Sequence, residues 1–333
     1  MGSRASALFI FLCLGHLAGC GQHATTDRAD GSVPDARGDA DPILHASGLG
    51  QPEHLLLDER ALVWANKTQG TLMSLELATG EVRTLATGIS GPEHALAMTD
   101  AHVYWAGWRD GTVMRVPRAG GDPELVASIA ASSLPCGMAV SATHLYWTLF
   151  GGALQRVALD GGAVEDLTWA TSSGPSSPIV SGDFLYVSSF SGAVDRLRIG
   201  PAADAALSST WERLVTIDGS RGGLLVIAVD DQHVYGAVTN DSIVFRAPLA
   251  GGAIQILAED LQPSDLEIAG GSLYMARAGA YGLARMPLAG GPIERLAMDS
   301  DSWSLAVGAD RVYWSSHGGV DSLAGTVRSI PLP

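Results

Sequence analysis

A landmark position, tyrosine in six of its seven occurrences, returns at near-constant spacing along this chain, and that recurrence restricts the fold more than any other feature. It can be followed through Val63, Tyr104, Tyr146, Tyr186, Tyr235, Tyr274 and Tyr313, at intervals of 41, 42, 40, 49, 39 and 39 residues. The unit around Tyr104 shows what repeats. An apolar strand (Ala95-Leu96-Ala97-Met98) is followed by Val103-Tyr104-Trp105, then Gly111 to Pro117, then Glu124-Leu125-Val126-Ala127. Strand slots are filled by β-branched and aromatic residues, which suit a pleated, half-buried surface. Gly-Gly pairs at 120–121, 161–162, 251–252 and 290–291 stand where a tight hairpin requires positive φ. Pro117, Pro248 and Pro287 fall late in the third strand, where a ladder donor must be dispensable.

Four short strands per unit with a period of about 40 residues predict an all-β fold, a seven-bladed β-propeller of four-stranded antiparallel blades over residues 42–333. The long interval places an insertion at about 200–211, between the third and fourth strands of blade four. The last unit ends at Ile330-Pro331-Leu332-Pro333 without a fourth strand, while residues 42–46 form a strand-like piece ahead of the first unit. Pairing that N-terminal piece with the last blade closes the ring and leaves no incomplete terminal blade.

The Tyr-Trp pairs in Val103-Tyr104-Trp105-Ala106, Leu145-Tyr146-Trp147-Thr148 and Val312-Tyr313-Trp314-Ser315 resemble the YWTD-type propeller repeat, although the aspartate that follows Tyr-Trp-Thr in that family is absent from every unit. Similar repeats occur in secreted bacterial propellers and in the NHL and virginiamycin B lyase groups.

Ahead of the repeats, Arg4 precedes the apolar run Ala7–Leu14, which is too short to span a bilayer and fits a secretory signal. It leads to Leu17-Ala18-Gly19-Cys20, which resembles the bacterial lipobox. The resemblance implies a signal peptide over 1–19, lipidation of Cys20 (palmitate among its acyl chains), and a membrane anchor in the cell envelope. Gly21 in place of Asp favours the outer membrane. Residues 20–41 combine the lipidated cysteine with an Asp-rich stretch lacking large apolar side chains, and they are expected to be a flexible tether.

The charge balance of −15, with 35 acidic against 20 basic residues, excludes a nucleic-acid binder, and no basic stripe offsets it. Of the three cysteines, Cys13 lies in the signal, Cys20 in the lipobox, and Cys136 alone remains for the propeller body. No phosphate-binding glycine loop, nucleophile elbow or metalloprotease helix is present.

In a propeller, the loops entering each innermost strand ring one mouth of the central channel, and the loops between second and third strands open on the same face. The expected ligand-binding mouth therefore comprises Glu53, His54, Glu93, His94, Trp108, Asp265, Trp303 and His317. Two readings of it follow. In the first, a monomeric, membrane-anchored envelope propeller acts as a binding module for a protein, peptide or glycan, with no cofactor required. In the second, His54, His94 and His317 hold a divalent metal beside acidic neighbours for a lyase or lactone hydrolase. A third, blander role is a structural scaffold of an envelope complex. The arginines repeated in one third-strand slot (Arg115, Arg156, Arg196, Arg246, Arg285) are expected to serve packing or inter-blade hydrogen bonding.

Overall fold

The computed structural model describes residues 41–91, 95–107, 110–129, 134–167, 174–200, 210–217, 223–238, 241–277, 282–299, 301–319 and 323–332. Its strands assemble into seven four-stranded antiparallel sheets, and no helix occurs among the described residues. Blade one comprises Pro52–Leu57, Ala61–Asn66, Thr71–Glu76 and Val82–Thr87, in sequence order from the channel outward. Blade six comprises Asp265–Ala269, Ser272–Ala276, Leu283–Pro287 and Glu294–Ala297. First strands of successive blades touch all round the ring, including blade seven against blade one.

Blade seven is the exception to sequence order. Its strands Ser302–Val307, Arg311–Ser316 and Gly325–Pro331 are completed by Ile43–Leu49 from the other end of the chain. The closing strand runs antiparallel to the third, with Ala46 opposite Val327 and Leu49 opposite Gly325. It is longer than the 42–46 piece expected, because two bulges, between Leu44 and Ala46 and between Ser47 and Leu49, let pairing continue.

The core is not central. Seven apolar layers lie between neighbouring blades among the described residues, one at each junction. Tyr104, Val113 and Val126 of blade two, for example, pack on Met138, Leu145 and Trp147 of blade three. A second strand is covered on both faces by its neighbours, so it reads as an apolar run rather than an alternation. His102–Gly107 is buried along nearly its whole length, whereas the outer Val82–Thr87 buries only Leu85 and Ala86. Trp64, Trp147 and Trp314, all on second strands, are at most 1% exposed. Burying each such side chain stabilises the fold by about 3 kcal/mol.

The repeated polar slots knit the blades. Each third-strand arginine lies opposite the second-strand tyrosine and opposite Glu or Gln on the fourth strand. The Arg115, Arg156, Arg196 and Arg285 Nε donate to Glu124, Glu165, Glu212 and Glu294 at 2.7–2.9 Å. Arg115 and Arg246 also reach the next blade, donating to the carbonyls of Leu159 and Leu288 at 2.9 Å. Both members of the Gly-Gly pairs at 120–121, 161–162, 251–252 and 290–291 have positive φ. The insertion falls between Ala193–Arg198 and Glu212–Thr216, as the spacing required.

Candidate functional site

The mouth residues are held by strands rather than loops. Glu53 and His54 belong to the first strand of blade one, Asp265 opens that of blade six, and Trp303 lies second in that of blade seven. Bulges explain the difference from a loop reading. Register shifts between Glu53 and Leu56 and between Ser302 and Leu305 let the ladder resume beyond an extra residue, carrying the strand up to the rim. His54 sits within such a bulge at φ 52, a left-handed conformation uncommon for non-glycine residues. His317 follows directly on the second strand of blade seven.

Four side chains from three blades converge there. The His317 ring stacks on the Trp303 indole, with centroids 4.5 Å apart and planes at 27°. His317 Nε2 lies 3.6 Å from Glu53 Oε1, an ion-pair distance when the imidazole is protonated. Glu53 is only 2% exposed, so its carboxyl group is withdrawn into the wall. Arg277, just beyond the second strand of blade six, places its guanidinium carbon 5.6 Å from the Trp303 ring centroid. The cluster thus combines a fixed carboxylate, a titratable imidazole, an indole face and a permanent cation.

Asp265 is engaged differently. It accepts from the Leu266 amide at 2.9 Å, the Ser304 hydroxyl at 2.7 Å and the Leu305 amide at 3.0 Å, fastening blade six to blade seven. Ser304 Oγ in turn accepts from the Leu55 amide of blade one at 3.0 Å. Two residues on, Glu267 accepts from the Val307 amide at 2.7 Å. These carboxylates satisfy N–H groups on the exposed edge of the neighbouring first strand. Burial and the charge of Asp265 push the Glu267 carboxyl up to about 8, with the Val307 hydrogen bond opposing.

The structure therefore brings together Glu53, Trp303 and His317 from the expected set, and gives Asp265 an inter-blade duty. Glu93, His94, Trp108 and the lipobox Cys20 lie outside the described residues. Among the described residues, no three His, Cys, Asp or Glu side chains are grouped to hold a metal ion. The Glu53–His317 pair supplies two donors; the expected histidine set includes His94, which is not described. Sequence reasoning passed over Arg277 and Glu267. Both break the repeat: Glu267 stands in the slot of Ala97, Ala139, Ala228 and Ala306, and register comparison is the signal that finds it.

The sequence matches no protein-family model and no curated protein. Solved structures do resemble the fold. A streptogramin B lyase aligns with a TM-score of 0.72 at 11% identity, covering 88% of this chain and 97% of that one. A catalytically inactive histidine-to-alanine variant of virginiamycin B lyase from Staphylococcus aureus, with quinupristin, aligns with a TM-score of 0.71 at 13% identity, covering 88% and 99%. A propeller in a nidogen/laminin complex aligns with a TM-score of 0.53 at 16% identity, covering 69% and 89%. At these identities the likeness is one of fold. The chain is a seven-bladed β-propeller.

Proposed function

We propose that this protein is a ligand-binding propeller of the bacterial envelope, exported and tethered through a lipidated Cys20, whose recognition site is the mouth where blades six, seven and one meet. The observation that carries the reading is the convergence of Glu53, His317, Trp303 and Arg277 on one rim. An indole flanked by an imidazole and a guanidinium offers stacking area and polar handles together, the composition of a recognition surface. A propeller within the nidogen/laminin complex supports such a role for the architecture. The ligand is a protein, peptide or glycan. Screening the purified chain on glycan and peptide arrays tests this. Hits should weaken about tenfold or more with Trp303→Ala, the cost of losing about 1.4 kcal/mol at a central aromatic. Hits indifferent to Trp303→Ala and His317→Ala would place recognition elsewhere.

One observation favours a second reading. His317 held beside the buried Glu53 is an arrangement suited to general acid–base work, because the carboxylate orients the ring and stabilises its protonated form. A lyase or lactone hydrolase at the same mouth, assisted by a divalent metal, would use that pair. Incubation with quinupristin followed by mass spectrometry, together with metal analysis of wild type and His54→Ala, separates the two. Stoichiometric metal and cleavage abolished by His317→Ala would establish the enzyme; intact substrate and no metal would remove it.

A further inference from the structure

Blade six carries a cation where the repeat asks for none. Three residues beyond the second-strand landmark stand Asn66, Gly107, Leu149, Ser189, Val238 and Ser316 in the other blades, and Arg277 in blade six. The slot varies in residue type from blade to blade, and blade six alone places a charge in it.

The backbone at Arg277 is held for a purpose. Its φ is 51, a left-handed conformation that L residues enter only at a cost and keep only when surroundings enforce it. The enforcement is visible: the Arg277 amide donates to Ser302 Oγ at 2.7 Å, and Ser302 is fully buried. That anchor aims an exposed side chain over the Trp303 indole.

The charge is left open as well. Arg115, Arg118, Arg156, Arg196, Arg213 and Arg285 all meet carboxylates. Among the described residues no carboxylate or carbonyl accepts from the Arg277 guanidinium, and its contact is the Trp303 ring. In a chain with 35 acidic residues against 20 basic, most of the described arginines stand within ion-pair distance of a carboxylate. An unoccupied guanidinium fork matches a planar oxyanion with two parallel N–H donors. The indole beside it offers a flat apolar surface, held in place by the His317 ring stacked on it.

We infer that this mouth takes a ligand whose carboxylate is attached to a ring, the carboxylate held by Arg277 and the ring lying on Trp303. The inference rests on the ligand-binding reading above and names its ligand class. Acidic pyranoses and aromatic carboxylates share this chemistry.

Titration calorimetry on the detergent-solubilised full chain decides it, using two matched pairs of probes: methyl glucuronide against methyl glucoside, and benzoate against benzamide. In one pair the acid should bind about tenfold more tightly than its neutral partner, the range of a single charge-assisted hydrogen-bonded contact. The pair that shows the preference identifies the ring. Arg277→Gln should abolish the preference and Arg277→Lys restore part of it, while Trp303→Ala weakens acid and neutral partner together. Arg277 is exposed, so these variants keep the fold, which circular dichroism checks. No acid preference in either pair, or a preference that survives Arg277→Gln, overturns the inference. An array ligand that depends on Trp303 but ignores Arg277→Gln overturns it too, and leaves the binding reading standing.

Discussion

Two carboxylates show how differently the same chemical group can be set by its surroundings. Glu267 is raised to about 8 by burial and by the charge of Asp265, so the folded state keeps a proton that the unfolded chain releases near its ordinary value of 4.5. Stability should therefore decline as pH rises from about 4.5 to 8. Glu267→Gln keeps an oxygen to accept from the Val307 amide and removes the titration. Its melting temperature should match wild type at pH 4.5 and exceed it by a few degrees at pH 9; an unchanged pH profile would show that Glu267 titrates normally. Asp58 is the opposite case. Burial pushes it up, but the Arg118 hydrogen bond and the Ala61 and Arg60 amides prevail and hold it at about 2. Its contribution is present above the ordinary carboxylate value and is lost as pH falls through 2. Asp58→Asn should lower the melting temperature at pH 7 and make no difference below pH 2. Solvent screening moderates that effect, since the pair is only partly buried.

At the scale of the element, the turns and the closing strand are where single changes act most sharply. Gly161 has φ 92, and a Cβ there would stand 3.2 Å from the Val126 carbonyl of blade two. Gly161→Ala should cost about 1–2 kcal/mol, read as a shift in the urea midpoint with unchanged slope. The closing strand Ile43–Leu49 covers the edge of Gly325–Pro331, beneath which Val327 is fully buried. Deleting residues 1–49 should expose that edge, lower the melting temperature and promote self-association visible in light scattering. A truncated chain as stable and monodisperse as the intact one would mean that three strands suffice for blade seven.

At the scale of the molecule, closing the ring turns seven similar units into one object with a distinct mouth, and the reading of its place in the cell is tested separately. Cys20→Ala should abolish acyl labelling and leave the precursor uncleaved at that position; persistent labelling would refute the anchor. The sequence by itself determined the blade count, the four strands per blade, the insertion in blade four and the pairing of the two chain ends. All of these are written in local periodicity: an apolar strand, a landmark tyrosine, a glycine pair, then the next unit about 40 residues later. It also placed Glu53, Trp303 and His317 at one mouth, because a repeat register assigns each residue to an end of its blade. Register cannot say which residues of different blades touch. That Arg277, Trp303, His317 and Glu53 form one cluster, and that Asp265 is drawn into bridging two blades, was decided only by the tertiary structure. The physical reason is that these contacts depend on the curvature of the closed ring, on bulges that re-aim single side chains, and on a left-handed backbone at Arg277 imposed by Ser302. Such features arise between elements remote in sequence, where no local propensity records them.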